Sequence, residues 1–137
     1  MVLSRYLVDT SAAVRIMTAT DLVENWIIEI TAGQIAICAI TELELRYSAK
    51  SVDHDRQLRR WLGETFVWAP IQDRCHERAL EVQNGLVANG EQRSAGPIDL
   101  MLAANAELSG LTVLHDDRDF DCVARVTGQA VMRIGEL

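Results

Sequence analysis

Apolar runs too short to be helices, each passing through a polar or acidic residue into a helical pattern, constrain this chain more than anything else in it. Residues 5–8 lead to Asp9, the hydroxyl pair Thr10 and Ser11, and a short helical pattern over 12–18. Residues 34–38 lead to Thr41 and a helix carrying Leu43, Leu45 and Tyr47. Residues 111–115 lead to Asp116, Asp117, Asp119 and Asp121, then a short helix over 123–126 and a last strand or strand-like tail over 129–134. Runs that are apolar throughout read as strands buried on both faces, the habit of parallel sheets. Alternation of such strands with helices predicts an α/β fold with a parallel sheet and helices on both faces.

The helices have legible signals. Thr10 or Ser11 offers an N-cap for the first, and Thr20 or Asp21 for a second that carries Leu22, Val23, Trp26, Ile27 and Ile30 and ends near Gly33. Thr41 with Glu44 three residues on matches a capping box. Residues 50–61 are charged and read as a helical arm with a solvated face, followed by Trp61, Phe66 and Trp68 as packing residues. Pro70 precedes a long helix over 72–89, stopped by Asn89 and Gly90. Pro97 sits at the favoured first position of the next helix, whose apolar, small-residue composition marks it as buried. That helix carries Asp99 in its first turn, where the helix dipole favours an anion.

The 137 residues fit the size of one domain, so 1–137 is expected to be a single domain. No apolar run approaches the ~18 residues of a membrane span, and no positively charged segment leads into a signal-peptide core. The expectation is a soluble, cytoplasmic protein with no membrane partner. Cys38, Cys75 and Cys122 form no CxxC pair and His54, His76 and His115 give no zinc-finger spacing, so the thiols are expected to be reduced and structural. The net charge of −7 is awkward for a nucleic-acid binder, whose affinity comes from neutralising phosphates, unless the acids are clustered around cations and the basic residues lie elsewhere. Arg46, Lys50, Arg93 and Arg118 are the candidates for contacting a phosphate backbone, as arginine suits bidentate phosphate contacts.

Ligand sites in open α/β sheets lie beyond the carboxyl ends of the strands. There the sequence places Asp9, then Glu42 and Glu44, then the acids of 116–121, with Asp99 heading a helix that can reach the same edge. Glu42 and Glu44 are two apart and face different sides of a helix, so only one looks into such a site. A charge in a buried helix asks for a partner. An all-carboxylate cluster suits a hard, oxygen-seeking cation such as Mg²⁺ or Mn²⁺, which can polarise a phosphodiester and lower the pKa of an attacking water. No P-loop and no GxGxxG is present.

The segments Leu7-Val8-Asp9-Thr10-Ser11-Ala12, Glu44-Leu45-Arg46-Tyr47-Ser48, Asp99-Leu100-Met101-Leu102-Ala103-Ala104 and His115-Asp116-Asp117-Arg118-Asp119-Phe120-Asp121 occur in an order that resembles the PIN-domain ribonucleases of the VapC toxin type, from bacterial toxin–antitoxin pairs. The resemblance covers nearly the whole chain. It implies a three-layer α/β/α sandwich with a central parallel sheet of four to five strands. It also implies an endoribonuclease that cleaves structured RNA with Mg²⁺, replaceable by Mn²⁺, and so stops translation and growth. Carried over, the four acidic positions are Asp9, Glu44, Asp99 and Asp117. Asp9 and Asp99 would hold the main ion directly. Glu44 and Asp117 would bind through water, orient the nucleophile or complete a second metal site. Thr10, Ser11, Asp119, Asp116 and Glu42 are possible auxiliaries, and the register leaves Glu44 against Glu42 and Asp117 against Asp116 open by one position. The family's habits imply a homodimer and a VapB-type antitoxin that blocks the site.

Two alternatives of other classes compete. A non-catalytic PIN-fold binding module would not need all four acids. A receiver-like Mg²⁺-binding signalling domain wants an acidic pair at the first strand end and a lysine after a late strand, whereas this chain has one Asp there and a single lysine, Lys50.

Overall fold

The computed structural model describes residues 4–136. The chain runs β1 (Tyr6–Val8), α1 (Thr10–Thr18), α2 (Thr20–Thr31), β2 (Ile35–Ile37), α3 (Ala39–Tyr47), α4 (Val52–Thr65), β3 (Val67–Trp68), α5 (Cys75–Ala88), α6 (Pro97–Ser109), β4 (Thr112–His115), α7 (Asp119–Thr127) and β5 (Val131–Arg133), ending in a 3-10 turn. The strands form one parallel sheet in the order β3-β2-β1-β4-β5. Its register sets Tyr6 beside Ile35 and Thr112, Leu7 beside Ala36 and Val113, and Val8 beside Leu114.

Alternation along these strands divides the core in two. Leu7, Ala36 and Val113 face α5, α6 and α7, packing with Val82, Leu86, Leu102, Ala103 and Phe120. Tyr6, Val8, Ile35, Ile37 and Leu114 face the other layer, with Ile16, Trp26, Leu45, Leu58 and Leu62. Trp26 is fully buried and its indole N–H donates to the Ile134 carbonyl at 2.8 Å, which fixes the C-terminal turn against α2. On the opposite face α5 and α7 approach closely at Gly85, where a Cβ would stand 2.6 Å from Val126 Cγ1.

The four strands read from the sequence are present, and a fifth, β3, joins them at the sheet edge. It has two residues, both exposed, and so short an apolar pair does not mark a strand. Trp68 is accordingly not the packing residue expected: it is 55% exposed, while Phe66 is buried edge-on to Trp61. The caps differ too. The carboxylate of Asp9, not Thr10 or Ser11, caps α1, and α2 has no side-chain cap at all. The expected capping box at Thr41 is absent because α3 begins two residues earlier, after Cys38. Thr41 is buried inside the helix instead, and its hydroxyl donates to the Val8 carbonyl at 2.9 Å. That bond clamps α3 to the end of β1. The expected helix over 72–89 is shorter, Cys75–Ala88, and that over 123–126 is longer, Asp119–Thr127.

Candidate active site

A cleft of about 440 Å³ lies at the carboxyl edge of the sheet, lined by Asp9, Glu44, Asp99, Asp116 and Asp117 together with Thr10, Ser11, Arg15 and Thr41. Asp9 follows β1 directly. Its backbone N–H extends the sheet ladder by donating to the Leu114 carbonyl at 3.0 Å. Its carboxylate turns back to accept from the Ala12 N–H at 2.8 Å, and Ser11 Oγ lies 2.8 Å from both carboxylate oxygens. The side chain is buried, and burial pushes its pKa up to about 6 against the lowering effect of the Ala12 and Ser11 hydrogen bonds.

Asp99 is the third residue of α6, after Gly96 and Pro97 at the helix start. Burial raises its pKa to about 6, and the charges of Asp117, Asp119 and Glu44 add to the rise. Asp117 sits in the connection from β4 to α7. Its carboxylate accepts from the Asp119 N–H at 3.0 Å, a local turn that starts α7. One carboxylate oxygen from each of Asp99, Asp117 and Asp119 lies within 4.8 Å of the others. Asp119 is raised as well, by burial and then by Asp117. Glu44 reaches the cleft from α3, exposed, and accepts from Thr10 Oγ1 at 2.6 Å.

The remaining sequence candidates divide cleanly. Glu42 leaves the cleft and pairs with Arg46 at 3.4 Å. Arg46 is engaged besides with both carboxylate oxygens of Asp55, at 2.8 and 3.1 Å. Lys50, Arg93 and Arg118 are exposed but do not line the cleft. Asp116 does line it, yet its side chain is held by Arg15 Nη1 at 2.8 Å rather than by the other acids.

The donor set answers the question of what the cleft holds. Oxygen ligands converge from separate segments, with no His or Cys among the lining residues. Asp9 and Asp99 already resist ionisation, first through burial and further through repulsion from neighbouring carboxylates. A divalent, oxygen-seeking cation removes that repulsion and is the group this chemistry fits.

A family model described as the PIN domain matches residues 6–126. The chain belongs to the PIN-domain family. Among its PIN-domain relatives, Ribonuclease VapC2 of Mycobacterium tuberculosis is 41% identical over 133 residues, 95% of this chain and 92% of that protein. Ribonuclease VapC21 of the same species is 36% identical over 134 residues, 93% of this chain and 92% of that one. Two solved structures share the fold. VapBC2 from Rickettsia felis, bound to a DNA fragment from its promoter, gives a TM-score of 0.78 at 20% identity over 93% of this chain and 97% of that one. DNA-bound VapBC from Salmonella typhimurium gives 0.76 at 23% identity over 96% and 98%. The expected PIN architecture, with its parallel sheet between two helical layers, is therefore the one this chain has.

Three residues in or behind this PIN domain's cleft were not assigned to it by sequence reasoning. Arg15 carries no signal of its own, being one arginine among twelve. His115 ends β4 fully buried, and its Nδ1 accepts from the Asp117 N–H at 3.1 Å, so the ring shapes the turn that presents Asp117. Burial lowers its pKa and keeps it neutral. Thr41 had a capping signature that concealed its contact with β1. Hydrophobic periodicity cannot report any of these, because each depends on a partner far away in the sequence or on a backbone turn.

Proposed function

We propose that this PIN domain is a divalent-metal-dependent endoribonuclease, the toxin of a toxin–antitoxin pair, that hydrolyses phosphodiester bonds of structured RNA. The observation that carries the reading is the convergence of Asp9, Glu44, Asp99 and Asp117 from four separate segments on one cleft, with Asp9 and Asp99 both held up at about 6. A fold does not need that accumulation of negative charge; a cation site does. The kinship with proteins named ribonucleases gives the substrate class.

Asp99, Asp117 and Asp119 would hold the ion, with Asp9 beside Asp99 completing the oxygen set; Mg²⁺ is proposed, with Mn²⁺ able to replace it. A divalent ion bound there supplies Lewis acidity at the phosphate and lowers the pKa of an attacking water. The side chains do the rest. Ser11 and the Ala12 N–H fix the orientation of Asp9, so its carboxylate needs no reorganisation when substrate arrives. Glu44 is tethered through one oxygen by Thr10, and its other oxygen has no protein partner among the described residues. In this reading it would take a proton from the attacking water. Glu42 has no part in this, being committed to Arg46.

The proposed partners are a VapB-type antitoxin, a second copy of the chain and RNA, and the proposed compartment is the cytoplasm. The exposure of Leu43 at 70% and Tyr47 at 92%, on the helix that carries Glu44, supports protein contacts beside the cleft. No helix among the described residues is long and apolar enough to cross a membrane.

The test is cleavage of total bacterial RNA by the purified, antitoxin-free protein in Mg²⁺, Mn²⁺ or EDTA, beside Asp99→Asn. Discrete fragments that require metal and disappear with the variant are expected. A folded protein that leaves all RNA intact in either metal would overturn the nuclease reading and leave a PIN-fold binding module.

A further inference from the structure

The cleft has an electrostatic difficulty that its acids cannot solve. Five carboxylates line it, and a polyanionic substrate must still enter when a divalent ion has offset part of that charge. A single cationic side chain, Arg15, is among the lining residues.

Arg15 lies in α1 one turn beyond Ser11 and so presents the same helical face. Its Nη1 donates to Asp116 Oδ2 at 2.8 Å, and the side chain is 49% exposed. Among the described residues its Nε and Nη2 have no hydrogen-bond acceptor. A guanidinium has five N–H donors, so this fork is anchored at one corner and open at the others. The anchor is itself anchored. The Asp116 N–H donates to Ser11 Oγ at 2.9 Å, and Ser11 Oγ is 2.8 Å from the carboxylate of Asp9. A chain of hydrogen bonds therefore relates the position of the guanidinium to the buried carboxylate at the end of β1. Arg46 offers no substitute, because Asp55 and Glu42 occupy its fork.

We propose that Arg15 is a substrate-positioning residue, held in place by Asp116, whose free N–H groups bind a non-bridging phosphate oxygen of the RNA next to the scissile bond. Asp116 is then an anchor for Arg15 and not a metal ligand. The inference rests on the nuclease reading. The competing account is a plain strut: an exposed ion pair tying α1 to the β4–α7 connection, which would contribute little to stability.

The full-length, antitoxin-free protein tests it, with a hairpin RNA oligonucleotide spanning one cut mapped in total bacterial RNA. Arg15→Gln is expected to raise KM about tenfold while kcat changes by less than about twofold, the pattern of lost binding common to ground and transition states. RNA affinity, measured by fluorescence anisotropy in Ca²⁺ between about 50 and about 200 mM salt, should show a log–log slope smaller by about one phosphate contact. Arg15→Lys should recover part of the loss, since it keeps the charge but not the fork. Asp116→Asn should raise KM about threefold through the weakened anchor, with Mn²⁺ binding by calorimetry unchanged, while Asp117→Asn loses Mn²⁺ binding. Replacing the contacted linkage by a neutral methylphosphonate should weaken the wild type and leave Arg15→Gln indifferent. Wild-type KM and salt slope in Arg15→Gln, with or without a fall in melting temperature, would overturn the proposal and leave the strut. In that case the nuclease reading stands, because the wild type still cuts. A wild type that cuts no RNA removes both.

Discussion

Replacing Asp9 with Asn should make the metal-free protein more stable while abolishing cleavage. Asp9 is 5% exposed, and its pKa stands at about 6 in the fold against the ordinary 3.8. The folded chain therefore holds a proton more tightly than the unfolded chain does. Stability from this group is fully present below about pH 4, falls as pH rises through the window, and is lost above about pH 6. A rise of about two pH units, at ~1.4 kcal/mol each, puts the cost of the ionised carboxylate near 3 kcal/mol at order of magnitude. Asn keeps an oxygen for the Ala12 N–H and is as good an N-cap as Asp, but its buried amide gives back part of the gain. A net stabilisation of about 1–2 kcal/mol at pH 8 is expected, equal to about 3–6 °C in melting temperature for a chain of this size. The assay is thermal unfolding of wild type and Asp9→Asn in EDTA from pH 4 to 8. Wild type should be the more stable at the acid end, by the part the amide gives back, and the two curves should cross between pH 4 and 7. An Asp9→Asn protein less stable than wild type at pH 8, or a difference independent of pH, would refute the assignment of a strained, metal-seeking carboxylate.

Three further outcomes are expected. Glu44→Gln should lower cleavage by about a hundredfold, the scale of a lost general base, and Glu42→Gln should leave it near wild type; the reverse order in the RNA assay would move the catalytic glutamate to the other position. Ser11→Ala removes a donor to Asp9 and the acceptor of the Asp116 N–H, so urea unfolding should show a loss of about 1–3 kcal/mol. It should also move the acid limb of the cleavage pH profile to higher pH, since the Ser11 bond lowers the pKa of Asp9. Gly85→Ala should destabilise by about 1 kcal/mol, because overpacking against Val126 outweighs the gain in helix propensity, and Val126→Ala in the same chain should restore the melting temperature.

The sequence announced its sheet clearly and its connections poorly, for one physical reason. The strands β1, β2 and β4 are buried on both sides, so apolar composition alone marks them. β3 pairs on one edge only, through two exposed residues, and Val67-Trp68, though strand-favouring in type, is too short a pair to stand apart from a loop. The acids were legible for the same kind of reason: a carboxylate directly after an apolar run is conspicuous. Which of two neighbouring acids stays free of an arginine was not legible. Glu44 faces Thr10, and Glu42 is drawn off by Arg46. Asp117 caps the turn into α7, and Asp116 is drawn off by Arg15. Each choice is made by a side chain from another part of the chain, and no local pattern encodes it. Asp9 illustrates the same limit differently. Its role at the strand end is visible, but its second role, as the cap of α1, is masked by the hydroxyls that follow it.

The strand order has a consequence for synthesis. β1 is made first, but the neighbour that closes its inner edge, β4, lies more than a hundred residues later. The acids are spaced in the same way: roughly seventy residues separate Glu44 from Asp117, several seconds of translation at ~5–20 residues per second. A chain that ends before Thr112 thus carries Asp9, Glu44 and Asp99 on an unfinished sheet, without Asp116, Asp117 and Asp119. The cleft is complete only when the segment from Thr112 to Asp119 is docked beside β1. An N-terminal fragment ending before that segment lacks the β4 edge and three of the acids, and is expected to cleave nothing.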